Sequence, residues 1–106
     1  FYGCSNLVSI SIPETITEIS DKTFQKCTNL VSIEIPNSIT TIGTRAFEDC
    51  FRLTSVNLPN SITEIKTYAF KNCKSLNVIK MPEKLRSIAD GLFYGCSNLI
   101  SIVLRA

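Results

Sequence analysis

An α/β repeat solenoid, with short parallel strands and one helical turn in each coil, is the fold this sequence predicts, and three observations predict it. Phenylalanine returns at Phe1, Phe24, Phe47, Phe70 and Phe93, always twenty-three residues apart. Cysteine follows three places later each time, at Cys4, Cys27, Cys50, Cys73 and Cys96. Leucine, two aliphatic pairs and a proline keep the same beat, so the opening "FYGCSNL" recurs at Phe93. A fixed period between about 20 and 50 residues marks units that bury their apolar faces only by stacking on one another.

The columns assign the walls of a coil in chain order. After Leu7, Leu30, Leu53, Leu76 and Leu99 come Ile10, Ile33, Val56, Ile79 and Ile102, then Ile12, Ile35, Leu58, Met81 and Leu104. One outward residue separates each such pair, which is the alternation of a strand, spanning roughly residues 7 to 12 in the first coil. Pro13, Pro36, Pro59 and Pro82 then withdraw a ladder donor and turn the corner. A second aliphatic pair (Ile16, Ile39, Ile62, Leu85 and Ile19, Ile42, Ile65, Ile88) predicts an extended second wall with Thr and Glu outward. On the third wall Asp21, Thr44, Thr67 and Asp90 stand where a helical turn is N-capped, ahead of Phe and Cys at i and i+3. Asn6, Asn29 and Asn98 suit the left-handed residue that ends such a turn, with Arg52 and Ser75 in the other two coils. Thr23, Ala46, Ala69 and Leu92 lead back to phenylalanine.

The chain thus reads as a single solenoid segment over 1–106, with repeats at 1–23, 24–46, 47–69 and 70–92 and a partial one at 93–106. It is expected to be a piece of a longer array. Stacked coils should lie ~4.7–4.9 Å apart where strands pair, so equivalent side chains form ladders along the molecule. Both ends of the segment should then present apolar ladder positions and unpaired strand edges, which end-to-end self-association would cover.

The 106 residues are 44% apolar, enough to fold, and carry eleven basic against nine acidic groups. That balance points to no nucleic acid partner and no anionic lipid surface. The charge is uneven: residues 1–65 hold four basic and seven acidic groups, and 66–106 hold seven and two. Lys71, Lys74, Lys80, Lys84 and Arg86 either form a basic patch or are solvated singly. No apolar run approaches the ~20 residues of a membrane span, and no signal peptide opens the chain. Direct membrane insertion is not expected.

The unit F-x-x-C-x-x-L-x-x-I-x-I-P-x-x-I-x-x-I-x-x-x-A resembles the BspA-like class of leucine-rich repeat, most closely in "SIEIPNSITTIGTRAFEDCFRLTSVNLP" at 32–59. The resemblance covers essentially the whole chain and implies a curved right-handed superhelix with its strands lining one face. It also implies a cell-surface or secreted recognition or adhesion module rather than an enzyme. Proline and aliphatic residues stand where commoner leucine-rich repeats place asparagine after the strand, so no asparagine ladder is expected.

The cysteines invite three chemical readings. Metal binding wants closely spaced ligands or histidine, but these thiols lie twenty-three apart and histidine is absent. Thiolate catalysis needs a base or a positive neighbourhood, and the usual histidine is missing. Bridging between adjacent coils is sterically open at ~5 Å between Cα atoms, yet parallel side chains point together rather than at each other, which favours reduced, buried thiols. No phosphate loop, acid pair or nucleophile elbow is present, and no cofactor is expected.

A partner is expected to be a protein, which the family resemblance implies is a host matrix or cell-surface protein, and to meet the strand face. Its outward column is Ser11, Glu34, Asn57, Lys80 and Val103, flanked by Ser9, Ser32, Ser55, Val78 and Ser101. These residues vary while the inward columns hold, which fits recognition. Plain solvent exposure would produce the same variation, and a spacer that only stacks is the alternative reading. Phe51, Tyr2, Tyr68 and Tyr94 fall off the core columns and are further candidates for surface contact.

Overall fold

The computed structural model describes residues 2–99 and the backbone of 101–103; Phe1, Leu104 and the rest of the chain end lie outside the described residues. Among the described residues eight short strands form, and all pair in parallel with a shift of one coil. On the first wall these are β1 (Ser9–Ser11), β3 (Ser32–Glu34), β5 (Ser55–Val56), β7 (Val78–Lys80) and β8 (Ser101–Val103). On the second wall they are β2 (Glu18–Ile19), β4 (Thr41–Ile42) and β6 (Glu64–Ile65). Ile10 pairs with Ile33, Ile19 with Ile42, Ile42 with Ile65, Val56 with Ile79 and Ile79 with Ile102, so residues of one sequence column lie over one another in space.

The core sits inside these ladders. Cys27, Leu30, Ile39, Ile42, Phe47, Leu53, Ile62, Phe70 and Leu76 are wholly buried. Phe24, Phe47, Phe70 and Phe93 stack in one column with centroids 5.4, 5.2 and 6.1 Å apart. The thiols are free rather than bridged. Each of three donates to a phenylalanine carbonyl of the preceding coil: Cys50 to Phe24 at 3.1 Å, Cys73 to Phe47 at 3.2 Å and Cys96 to Phe70 at 3.1 Å. A small side chain with one weak donor fits a position where a buried carbonyl needs a partner.

The third wall corrects the sequence reading, because it holds no helical turn. Lys22, Arg45, Tyr68 and Gly91 have left-handed φ of 58–65°, and Lys26, Asp49, Asn72 and Gly95 four places later have left-handed φ of 61–76°. These conformations aim N–H groups along the stack instead of along a helix. Lys22, Phe24 and Lys26 donate to the carbonyls of Thr44, Ala46 and Glu48 at 2.8–2.9 Å, and the next coils repeat the pattern. A single helical turn closes too few bonds to offset the cost of nucleating it, whereas here alternate amides donate to the next coil and those between, Thr23, Gln25 and Cys27, donate to the carbonyls of Ser20, Lys22 and Phe24 three places back. Asp21 therefore caps no helix; its Oδ1 accepts from the Thr44 amide at 2.8 Å, one coil on. Its close approach requires Gly43, where a Cβ would stand 2.5 Å from that oxygen. Asn6, Asn29 and Asn98 are not left-handed either; the residue before each cysteine takes that role.

One core column also fails in the fourth coil. Ile19, Ile42 and Ile65 are at most 3% exposed, but Ile88 is 55% exposed, and among the described residues no strand pairs with β6 beyond β4. In the preceding coils, serine and threonine hydroxyls staple this wall to the coil before it. Ser38 donates to the Ile16 carbonyl at 2.8 Å, Ser61 to Ile39 at 2.6 Å, and Thr40 and Thr63 to Thr17 and Thr40 at 3.3 and 3.4 Å. Lys84 and Arg86 occupy those two columns in the fourth coil and supply no hydroxyl. Ile16, on the outer side of the first coil, is likewise exposed rather than core.

A candidate recognition face on the first wall

Pleating turns Ile10, Ile33, Val56 and Ile79 inward and leaves their neighbours on the outer surface. Ser9, Ser11, Ser32, Glu34, Ser55, Asn57, Val78 and Lys80 are all exposed. Ser11 lies opposite Glu34 in register, and its Oγ donates to Glu34 Oε2 at 3.3 Å. Val103 pairs with Lys80 through the β7–β8 ladder, so the column continues as expected in the backbone; its side chain lies outside the described residues.

The sheet on this wall is not continuous. β1 and β3 form one pair, β5, β7 and β8 a separate sheet, and β3 meets β5 without a strand ladder between them. A cleft of about 650 Å³ opens at that break, lined by Ser32, Glu34, Ser55, Asn57, Val78 and Lys80 over a floor of Ile33, Ile35 and Val56. Around the proline corner it is prolonged by a smaller hollow of about 320 Å³ between Asn37, Asn57 and Asn60. Six of the ten strand-face residues that the sequence nominated thus line one depression, with Ser9, Ser11, Ser101 and Val103 on the flanking coils. Glu34 offers acceptors, Lys80 a cation, and Asn57 with the two serines both donors and acceptors.

Other features that the sequence singled out go elsewhere. The five cations from Lys71 to Arg86 do not form one patch. Lys71 lies over the Tyr68 ring at 4.9 Å and the Tyr94 ring at 5.5 Å, and Lys74 lies over Phe51 at 5.6 Å. Lys80 faces out from β7, and Lys84 and Arg86 belong to the second wall. The sequence reading missed a network on the third wall. The buried Glu48 carboxylate accepts from Gln25 and from Arg45 at 2.6 Å, with Lys71 at 3.9 Å. The Arg45 guanidinium lies 4.6 Å from the Tyr68 ring centre. Its signal was present in the column Tyr2, Gln25, Glu48, Lys71 and Tyr94, where opposite charges stand one coil apart.

Burial holds the thiols of Cys27, Cys50, Cys73 and Cys96 in their protonated form above the ordinary range. Desolvation by burial, reinforced by the neighbouring Cys27 thiol, pushes Cys50 up to about 12. Burial likewise raises Cys73, with Cys50 and Cys96 adding to it. Among the described residues no three His, Cys, Asp or Glu side chains cluster as metal ligands, and no helix is long and apolar enough to cross a membrane.

Comparison with known proteins agrees with this architecture. A family profile described as "BspA type Leucine rich repeat region" matches residues 1–106 in six copies. A leucine-rich repeat protein of T. pallidum superposes with a TM-score of 0.89 at 34% identity over 97% of this chain and 59% of its own. A leucine-rich cell surface protein from Faecalibacterium prausnitzii gives 0.86 at 37% identity over 93% of this chain and 27% of its own. A leucine-rich repeat protein from Bacteroides ovatus gives 0.83 at 30% identity over 96% and 32%. The chain therefore spans less than two thirds of each of these three structures. No curated protein sequence matches it.

Proposed function

Because the chain belongs to the BspA-type leucine-rich repeat family, we propose that it is a non-enzymatic recognition module of a surface or secreted protein, and that it binds a protein partner through the first wall. The observation that carries this reading is the cleft at the β3–β5 break, where Glu34, Asn57 and Lys80 from three successive coils face one space. A repeat array presents such positions at fixed spacing on a rigid support, which suits an extended partner surface. Similarity to a protein described as a cell surface protein supports the location. A host matrix or cell-surface protein is the partner class the reading implies.

The test replaces Glu34, Asn57 and Lys80 together by alanine and measures binding to a panel of immobilised matrix proteins. Loss of binding with an unchanged far-ultraviolet spectrum supports the reading; unchanged affinity refutes it. A second reading, a spacer whose copies stack end to end, draws on the apolar outer face of the first coil, where Ile10, Ile12, Pro13 and Ile16 border one hollow. Light scattering at low and high salt separates the two, since a stacking spacer grows in mass with concentration.

A further inference from the structure

The second wall carries a separate opening, around the proline corner from the strand-face residues and independent of their role. Between the first three coils this wall is fully laddered: Thr40 donates to Thr17 at 2.8 Å, Gly43 to Ile19 at 2.8 Å, Thr63 to Thr40 at 2.9 Å and Lys66 to Ile42 at 2.9 Å. The equivalent bonds from Arg86 to Thr63 and from Ala89 to Ile65 are absent among the described residues. The stack closes again only at Asp90, whose carbonyl accepts from Tyr68 at 3.4 Å. What remains is a seam of about 540 Å³ bordered by Thr63–Thr67 on one side and Arg86, Ser87 and Ala89 on the other. Ile88, which would fill it, points out to solvent.

We propose that this seam is a docking slot for one extended peptide strand of a protein partner, carrying an aliphatic residue flanked by carboxylates. The free edge of β6 supplies the template, since an exposed strand edge pairs with any extended backbone that reaches it. Register specifies the side chains. A strand in line with β6 sets its aliphatic residue beside Ile65, in the place Ile88 has left. The preceding residue stands between Glu64 and Ser87, where a hydroxyl fits and a second carboxylate would be repelled. The residues on either side of that pair meet Arg86 and Lys66, neither of which has an ion pair among the described residues. Charge complementarity thus selects an acidic strand, and the place beside Ile65 that Ile88 has left selects a branched residue within it.

The experiment uses the full chain and a fluorescein-labelled, amidated hexapeptide, Ser-Glu-Thr-Ile-Glu-Ser, followed by anisotropy and by methyl resonances of Ile65 and Ile88. The expected result is saturable binding that moves both resonances and weakens at least tenfold, to about 10 times the starting Kd, when the peptide isoleucine becomes serine or both glutamates become lysine. The paired substitution Lys84→Ser and Arg86→Thr restores the missing hydroxyl staples and closes the seam, and it should lower affinity by a similar factor. Absence of binding to the unaltered chain, equal binding of the lysine peptide, or undiminished binding by the closed variant would each overturn the proposal.

Discussion

Removing one ring from the phenylalanine column tests whether the molecule is held together by contacts between neighbouring coils. Phe47 is wholly buried and stacks on both sides, at 5.4 Å on Phe24 and 5.2 Å on Phe70. Truncating a buried phenylalanine to alanine costs about 3–5 kcal/mol, and each stacked pair adds about 0.5–1.5 kcal/mol. Phe47→Ala should therefore cost about 4–8 kcal/mol, comparable with the whole stability of a small domain. Phe93 is only half-buried and, among the described residues, stacks on Phe70 alone at 6.1 Å. Its replacement by alanine should cost about half as much. Urea unfolding followed by circular dichroism gives both values by linear extrapolation. If Phe47→Ala leaves no folded protein, Phe47→Leu and Phe93→Leu carry the same comparison at lower cost. Equal losses at the two positions would refute the view that stability resides in nearest-neighbour stacking.

Thiol labelling should be graded, with the half-buried Cys4 and Cys96 modified by a disulfide reagent well before the buried Cys50 and Cys73. Cys50 has a folded pKa of about 12 against an ordinary value of 9.0, so its contribution is intact below about pH 9. It should be lost as pH rises toward 12, and alkaline unfolding curves at fixed urea would show this; stability constant across that window would contradict the burial. Gly95→Ala meets a left-handed φ of +76° and an Asn72 Oδ1 only 2.1 Å from the added carbon. The change should cost more than about 1 kcal/mol, and Asn72→Ala should relieve part of it in a double-mutant cycle. Lys84→Ser with Arg86→Thr should raise stability by about 2–4 kcal/mol through two hydroxyl bonds and the burial of Ile88. An unchanged midpoint would show that the hydroxyl staples do not hold the second wall.

The ladders and their register were legible because inward side chains repeat wherever every coil offers the same surroundings. Ile10 over Ile33 and Val56 over Ile79 follow from that alone. The third wall was misread for a physical reason: Asp21 and Thr44 are good N-caps, but the same oxygen serves equally well to accept an amide from the adjoining coil. Lys26 and Asp49 gave no hint of left-handed backbone, since that conformation is imposed by bonds to the next coil rather than by local preference. The outward residues of the candidate face could be named from alternation, yet the break between β3 and β5 that gathers them into a cleft depends on how coils fit together. The opened second wall did leave a trace, in Lys84 and Arg86 interrupting otherwise hydroxyl-bearing columns.

The bonds that join coils run in two senses. The Cys50 thiol reaches back to Phe24, while the Lys26 amide reaches forward to Glu48. A tandem duplication of one whole unit leaves every such donor facing its proper acceptor, and the molecule simply grows taller. Gain or loss of a single amino acid inside a unit would set donors against the wrong carbonyls on both sides at once. Evolutionary change of length in this protein should accordingly proceed in steps of one complete coil.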